Sequence, residues 1–115
     1  MSGRRALVTG AAGGIGRAIA ERLVADGWAV LSVDLRPDAE GPGLPFTADL
    51  TTRAGNRAAV DAAVERLGGL DAVVANAGFQ HVSPVAEFDE DRWDALLAQL
   101  LTSPILLAKH AWPDL

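Results

Sequence analysis

The chain has 115 residues, of which 50% are hydrophobic, and it carries a formal net charge of −5 at pH 7. This length suits one small domain or a part of a larger one, and the apolar share excludes a disordered chain. The acidic balance disfavours a nucleic-acid-binding protein, and the absence of Cys excludes disulfides and thiolate metal sites. Because no apolar run approaches the roughly 18 residues of a membrane span, we expect a cytoplasmic protein without a membrane or metal partner.

Short apolar runs rich in β-branched residues alternate with longer stretches of helical periodicity. In chain order the pattern predicts strand 6–9, helix 14–26, strand 29–34, a weak strand 44–48, helix 51–67, strand 70–75 and helix 90–110. Glycines are placed to end the first two helices, at Gly27 and Gly68, and Asp89 is placed to cap the last helix. Strands that alternate with helices of this length form parallel sheets, so we predict an α/β fold.

The last predicted helix is apolar on all sides. From residue 95 to residue 108 only four residues interrupt its apolar run, namely Gln99, Thr102, Ser103 and Pro104. One side of such a helix can pack on the sheet, and the other side then needs further chain or another subunit to cover it. We therefore predict a homo-oligomer that assembles through helix 90–110.

The strongest local motif is the glycine-rich run 9–16, which leaves the first strand and opens the first helix. Its frame is Gly10, Gly14 and Gly16, spaced Gly-x-x-x-Gly-x-Gly. Such a turn lets the backbone approach a pyrophosphate, and the helix N-terminus offers free N–H groups and the positive end of its dipole. We predict a dinucleotide site here, with a merely structural turn as the alternative. The run lacks the Gly-Lys-Ser/Thr ending of a P-loop.

Asp34 ends the second predicted strand. A carboxylate at this place can accept hydrogen bonds from both ribose hydroxyls of NAD, and it repels the 2′-phosphate of NADP. No basic residue lies between Gly10 and Gly14 to hold that phosphate, whereas Arg36 lies near enough to pair with one. We predict NAD as the cofactor, and the alternative for Asp34 is a solvated strand end.

Four elements of the chain together resemble the short-chain dehydrogenase/reductase family. They keep the family's order and spacing over nearly the whole chain, and they are Thr9-Gly10-x-x-x-Gly14-Ile15-Gly16, Asp34, Asp49-Leu50 and Asn76-Ala77-Gly78. The resemblance implies a Rossmann-type doubly wound parallel sheet, of which this chain would form the N-terminal half with strand order 3-2-1-4.

The resemblance also implies a role for each matching residue in holding the cofactor. The pyrophosphate would be held by the turn, that is by Thr9, Gly10, Gly14, Ile15 and Gly16. Asp34 would hold the adenosine ribose, and Asp49 would hydrogen-bond the adenine amino group with Leu50 beside the ring. The central sheet would be braced, and the cofactor cleft lined, by Asn76, Ala77 and Gly78. The alternative for Asp49 is a plain helix cap.

A narrower resemblance, to the bacterial 3-hydroxybutyrate dehydrogenases, covers residues 76–85 and continues at Phe88 and 93–94. It implies that Gln80 helps to hold the substrate carboxylate, to which an amide can donate a hydrogen bond. The alternative is that Gln80 only fixes its own loop, and His81 is more simply a structural residue. The implied reaction oxidises (R)-3-hydroxybutyrate to acetoacetate with NAD, and another small alcohol or sugar is the alternative substrate.

The residues that carry the family's chemistry are a Ser and a Tyr-x-x-x-Lys pair on one helix. This chain has no Tyr, and its only Lys, Lys109, lies in the wrong element. The chain also stops at Leu115, about where the family's fifth strand should begin. We therefore expect residues 1–115 to be the N-terminal dinucleotide-binding part of a single Rossmann domain, without a catalytic residue and inactive alone. A non-catalytic nucleotide-binding or interaction fragment, or a chain that does not fold, are the alternatives.

Leu100 is the one departure from the family's pattern, which usually has a catalytic Asn here. Pro104, four residues later, has no N–H, and its ring crowds the carbonyl of Leu100. That carbonyl is therefore left free or bent outward. In the family a main-chain carbonyl at this point holds a water of the proton relay, so the relay could operate with Leu. Leu100 itself is assigned no catalytic role.

Overall fold

Strands and helices alternate along the chain in the computed structural model, which describes residues 3–115. The strands are β1 (Arg5–Thr9), β2 (Ala29–Asp34), β3 (Leu44–Thr47) and β4 (Ala72–Val74), and the α-helices are α1 (Gly14–Ala25), α2 (Arg53–Leu67), α3 (Glu90–Leu97) and α4 (Ser103–Ala111). A π-helical turn, Ala98–Thr102, joins α3 to α4, and short 3-10 turns lie at Val85–Glu87 and Trp112–Asp114.

The four strands form one parallel sheet in the order β3-β2-β1-β4. Leu7 at the centre of β1 lies opposite Leu31 of β2 and Val73 of β4, and Val33 of β2 lies opposite Phe46 of β3. The predicted α/β class and strand order 3-2-1-4 are confirmed. Because helices cover both faces of a parallel sheet, its central strands are apolar at successive positions, as the sequence pattern showed.

Alternate residues of β1 lie in two separate cores, one on each face of the sheet. Ala6 and Val8 belong to the core under α1, and both are fully buried. Leu7 belongs to the opposite core, together with Val60 of α2 and Leu107 of α4. Fully burying a leucine side chain contributes about 1.5–3 kcal/mol, so these side chains fix α2 and α4 on one face and α1 on the other.

The amino ends of β1 and β4 are joined by an arginine. The backbone N and the Nε of Arg5 donate to Asp71 Oδ2 at 2.8 and 3.0 Å, and its Nη1 donates to the carbonyl of Gly68 at 2.8 Å. The hydrogen bonds from Arg5 hold the pKa of the Asp71 carboxyl below its ordinary value. This ion pair closes the end of the sheet away from the carboxyl ends of the strands.

The helix ends follow the turn and cap residues of the sequence. Gly27 after α1 and Gly68 after α2 have positive φ values of 90° and 79°, which glycine adopts without strain. Asp89 caps α3, where its side chain accepts from the backbone N of Asp91 at 2.9 Å. The predicted cap and the two predicted stops are therefore confirmed. The fourth strand is shorter than predicted and comprises Ala72–Val74.

The predicted helix 90–110 is helical throughout but contains a π turn in its middle. The backbone N of Ser103 donates to the carbonyl of Ala98, five residues earlier. Pro104 accounts for this irregularity, because it offers no N–H for an α-helical bond to the carbonyl of Leu100 and its ring crowds that carbonyl. Inserting one extra residue into the turn relieves the conflict. The sequence pattern did not predict this π turn.

The helix α4 and the π turn before it are covered on one side only. Leu107 and Ala111 are buried in the core under α2, so Leu107 belongs to the core and not to an exposed apolar face. In contrast, Leu101 and Ile105 are 63% and 64% exposed. Within residues 3–115, no helix combines the length and the apolar character that crossing a bilayer requires.

Candidate functional site

A cleft of about 290 Å³ opens at the carboxyl ends of the strands. Ligands of open α/β sheets bind at this edge, because the loops that leave adjacent strands diverge there. The predicted site residues that line the cleft are Gly10, Asp34, Asp49, Leu50, Ala77 and Gly78. The other lining residues are Leu35, Ala48, Thr51, Phe79 and Gln99. The fold thus brings together residues from the glycine turn and from the ends of β2, β3 and β4.

Thr9 joins the end of β1 to the segment that leaves β4. Its hydroxyl Oγ1 accepts from the backbone N of Asn76 and from the backbone N of Ala77, both at 3.0 Å. The same hydroxyl donates to the carbonyl of Val74 at 3.4 Å, and Thr9 is only 1% exposed. A β-branched residue suits the strand, and its hydroxyl fixes the backbone behind the cleft.

Asn76 and two glycines form the closest contact in the site. The side-chain Nδ2 of Asn76 donates to the carbonyls of Thr9 and Gly10 at 3.2 and 3.4 Å. A Cβ on Gly16 would fall on the carbonyl oxygen of Gly10 and lie 2.5 Å from Asn76 Nδ2, and a Cβ on Gly10 would lie 2.8 Å from the Cα of Ala77. Only glycine therefore allows α1 to start this close to the strand ends.

The start of α1 is open to a ligand. Gly14 has a positive φ of 59°, and a Cβ on Gly13 or on Gly14 would meet nothing within 4 Å. Within the described part of the chain, no side chain caps α1 at Gly13, and Ile15 is 74% exposed. The first-turn N–H groups and the positive end of the helix dipole thus adjoin open space. This geometry fits the pyrophosphate of the dinucleotide that the motif implies.

Asp34 is half-buried where β2 ends, and it is tied to the glycine turn. Its Oδ2 accepts from the backbone N of Ala12 at 3.1 Å, and its Oδ1 accepts from the backbone N of Arg36 at 3.3 Å. A carboxylate has about four acceptor positions, so two bonds leave capacity for ribose hydroxyls at the cleft. The side chain is therefore oriented by the turn and does not point freely into solvent.

The basic residue that follows the glycine turn is occupied by acidic partners. Arg17 Nη1 lies 2.7 Å from Asp38 Oδ2, and Arg17 Nε lies 3.0 Å from Glu21 Oε1. The hydrogen bond from Arg17 lowers the pKa of the Asp38 carboxyl. The turn itself contains no basic residue. Arg36, two residues after Asp34, is therefore the remaining candidate for a contact with a 2′-phosphate.

Asp49 forms a local turn ahead of α2. Its Oδ1 accepts from the hydroxyl and from the backbone N of Thr51, at 2.6 and 3.0 Å, and these hydrogen bonds lower the pKa of its carboxyl. The cap of α2 is Thr52, whose Oγ1 accepts from the backbone N of Gly55 at 2.9 Å. The helix-cap alternative for Asp49 is therefore wrong. Leu50, next in the chain, is buried and contributes an apolar wall to the cleft.

The loop after β4 carries Gln80 and a row of aromatic rings. Gln80 is exposed and does not belong to the cleft lining, so its contact with a substrate carboxylate stays a prediction. The His81 ring lies edge-on to Phe88 at 5.1 Å between centroids, and Phe88 lies edge-on to Trp93 at 6.1 Å. These contacts pack the loop against α3 and give His81 a structural role.

Two residues of the apolar helical region lie at the site: Leu100, at the position where the family usually has an Asn, and Gln99, which was not predicted to lie there. Gln99 lines the cleft, and a Cβ on Gly78 would lie 2.9 Å from Cδ2 of Leu100. A signal for Gln99 was present, because it is one of few polar residues in an apolar run. Among residues 3–115, no group of three or more His, Cys, Asp and Glu side chains could hold a metal ion.

A family model described as short chain dehydrogenase matches residues 4–115. The chain belongs to the short-chain dehydrogenase family. This confirms the resemblance that the glycine turn, Asp34, the Asp-Leu pair and the Asn-Ala-Gly segment indicated. Members of the family are oxidoreductases, and the open cleft at the strand ends lies where the family's motif residues meet.

Two similar proteins are short-chain dehydrogenases about twice as long as this chain. The chain is 38% identical over 121 residues to the uncharacterized oxidoreductase YxjF of Bacillus subtilis, with 94% of this chain and 46% of that protein covered. It is 35% identical over 127 residues to D-beta-hydroxybutyrate dehydrogenase of Cupriavidus necator, with 100% of this chain and 49% of that protein covered. The chain thus spans about half the length of these short-chain dehydrogenases.

Solved short-chain dehydrogenases share the fold at a similar level of identity. A short chain dehydrogenase from Burkholderia cenocepacia in complex with NADP is 34% identical with a TM-score of 0.91, covering 99% of this chain and 51% of that one. The NADH-dependent reductase A1-R′ complexed with NAD is 31% identical with a TM-score of 0.90, covering 99% of this chain and 53% of that one.

Proposed function

We propose that residues 1–115 are the N-terminal dinucleotide-binding part of a single Rossmann domain, in an NAD-dependent short-chain dehydrogenase. The enzyme would transfer a hydride between NAD and a small hydroxy acid. The observation that carries this proposal is Asp34, a half-buried carboxylate that lines the cleft and is oriented by the glycine turn through Ala12. An acceptor so placed matches the two hydroxyls of a ribose, which offer two donors.

Other residues at this edge of the sheet would each hold one part of the dinucleotide. The pyrophosphate would lie against the open start of α1, where Gly14 leaves room for close approach and the helix dipole favours an anion. Asp49 would face the adenine amino group, with Leu50 as the apolar surface beside the ring. The dinucleotide supplies hydride chemistry when it is bound.

The preference for NAD is tested by binding measurements on the chain itself. Asp34 would repel a 2′-phosphate, so we expect NAD and AMP to bind more tightly than NADP and adenosine 2′,5′-bisphosphate in calorimetric titrations. Asp34→Ala should weaken AMP binding by about 1–3 kcal/mol and reduce the discrimination against the 2′-phosphate. Asp61→Ala, at an exposed carboxylate on α2, is the matched control and should change neither value. Tighter binding of NADP by the unaltered chain would overturn the preference and indicate Arg36 as the phosphate ligand.

(R)-3-Hydroxybutyrate is the proposed substrate, because Gln80 offers an amide donor for a carboxylate and a relative that spans the whole chain is named for this compound. Saturation-transfer NMR in the presence of NAD should detect 3-hydroxybutyrate but not butane-1,3-diol, in which a hydroxymethyl group replaces the carboxylate. Gln80→Glu should remove this difference, since like charges repel. Equal binding of the two compounds by the unaltered chain would favour another small alcohol as the substrate class.

The proposal assigns no catalytic residue to these 115 residues, which include no Tyr. We therefore expect no NADH formation from 3-hydroxybutyrate by the chain alone, since losing an acid–base residue removes about 10²–10⁴-fold of rate. NADH formation well above a buffer blank would refute this assignment.

A cytoplasmic location and a homo-oligomer that forms through residues 90–110 complete the proposal. The exposed side chains of Leu101 and Ile105 support the homo-oligomer.

A further inference from the structure

A buried pair of polar side chains links α2 to α4, which directly follow two segments that line the cleft, residues 48–51 and the π turn with Gln99. The Ser103 hydroxyl on α4 donates to Asn56 Oδ1 on α2 at 2.6 Å, and the two residues are 3% and 1% exposed. Neither residue lines the cleft, and neither belongs to the motifs that indicated the site. A hydrogen bond this short and this buried constrains the position of α4 against α2.

Asn56 fixes the wall that carries Asp49 and Leu50. Its Nδ2 donates to the carbonyl of Leu50 at 3.0 Å and to the carbonyl of Thr52 at 2.8 Å. With the bond from Ser103, both amide hydrogens and the amide oxygen have partners. The backbone that presents the proposed adenine-binding residues is therefore held by one side chain from behind.

Ser103 fixes the segment that carries Gln99. Its backbone N closes the π turn on the carbonyl of Ala98, and that turn contains Gln99, which lines the cleft. Because Pro104 follows and cannot donate, the turn cannot shorten by forming an α-helical bond at that residue. The residue that ends the π turn is thus the same residue whose hydroxyl reaches Asn56.

We propose that Asn56 and Ser103 are positioning residues that set the separation between Gln99 and the Asp49–Leu50 wall, and with it the shape of the adenine end of the cleft. A shift of α4 along α2 would leave Asn56 Oδ1 as a buried acceptor without a donor, which is costly. The pair therefore selects one register of the two helices. Its effect on ligand binding rests on the proposed function, whereas its effect on the free chain does not.

The first test measures amide hydrogen exchange in the free chain by NMR, with Ser103→Ala as the variant. The amides of Thr51 and Gly55, which donate to Asp49 Oδ1 and Thr52 Oγ1, report on the Asn56 side. The amide of Ala12, which donates to Asp34, is the internal reference. We expect exchange at Thr51 and Gly55 to accelerate about tenfold relative to Ala12, because local opening becomes easier.

Ala111→Gly serves as the control for a merely structural effect, because it loosens the buried end of α4 without touching the pair. It should speed exchange at the three reporter amides of the first test to a similar degree. If Ser103→Ala produced the same uniform change, or no change, the positioning role would be refuted. Both variants are measured at a temperature at which each remains folded by circular dichroism.

The second test measures AMP affinity, with Ser103→Ala weakening binding about 3- to 10-fold and Ala111→Gly leaving it unchanged. Unchanged AMP affinity in Ser103→Ala, despite the selective exchange effect, would overturn the link to the ligand. Failure of the unaltered chain to bind AMP would instead refute the proposed function, and the exchange measurement would still decide whether the pair holds the two segments.

Discussion

Replacing Thr9 by Val isolates the hydrogen bonds that join β1 to the segment after β4. The two side chains have nearly the same shape and both are β-branched, so strand geometry and packing are retained. The change removes the acceptor of the Asn76 and Ala77 N–H groups at 3.0 Å, and it removes the donor to the carbonyl of Val74. The bonds of the Asn76 side chain to the backbone carbonyls are left intact.

The expected cost follows from the groups that lose their partner. A buried donor left without an acceptor costs about 1–3 kcal/mol. Asn76 and Ala77 are only half-buried, so the lower part of this range applies to each of them, and we expect Thr9→Val to lose about 2–4 kcal/mol in total. Small domains are stable by only about 5–15 kcal/mol, so this loss is large.

Urea unfolding followed by circular dichroism measures this loss. We expect the midpoint of Thr9→Val to fall by roughly 1–2 M, taking an m-value of about 2 kcal/mol/M, the middle of the range for small proteins. Thr47→Val is the matched control, since Thr47 is an exposed residue of β3, and it should change stability by less than about 0.5 kcal/mol. Equal midpoints for the two variants would refute the idea that the Thr9 hydroxyl anchors the site.

Three further outcomes are expected. Gly16→Ala should lower the free energy of unfolding by about 1–3 kcal/mol in urea, because its Cβ has no room, whereas Gly13→Ala, with open space around it, should not. Asp71 has a lowered pKa, so its ionised form stabilises the fold fully above the ordinary carboxyl pKa of 3.8, and this stabilisation is lost as the pH falls through the lower folded value. Asp71→Asn should therefore lower the urea midpoint at pH 6, and this effect should shrink as the pH falls below 3.8. Leu101→Glu combined with Ile105→Glu should shift sedimentation toward monomer, and an unaltered chain that is already monomeric at micromolar concentration would contradict assembly through this face.

The features that follow from local pattern were predictable from the sequence. The parallel α/β sheet follows from alternating strands and helices, whereas the strand order 3-2-1-4 was implied by the family resemblance. The stops at Gly27 and Gly68 and the cap at Asp89 follow from backbone chemistry that depends on single residues. The meeting of Gly10 with Asp34 at one cleft follows from the rule that carboxyl ends of parallel strands share an edge.

The features that depend on contacts distant in sequence were not predictable in this way. In the sequence Asn56 is typical of the exposed polar residues of a helix. Its burial follows only from the packing of α4 against α2. Gln99 faces the cleft because the π turn rotates the helix, and that turn depends on how Pro104 is accommodated. Asp49 ahead of a helix is typical of a cap, yet Thr52 takes that role because its hydroxyl reaches Gly55.

The Thr9 hydroxyl has a consequence for the order in which the molecule assembles. Its two accepted bonds join positions 67 and 68 residues apart, the longest separations among the side-chain hydrogen bonds described for residues 3–115. Contacts so distant in the chain form late, because the loop between them must close first. A nascent chain that ends before β4 would therefore contain the first β-α-β unit and its glycine turn but not the cleft. During synthesis, affinity for the nucleotide should therefore rise abruptly when β4 joins the sheet. Nucleotide binding would then show that the four-stranded sheet has formed.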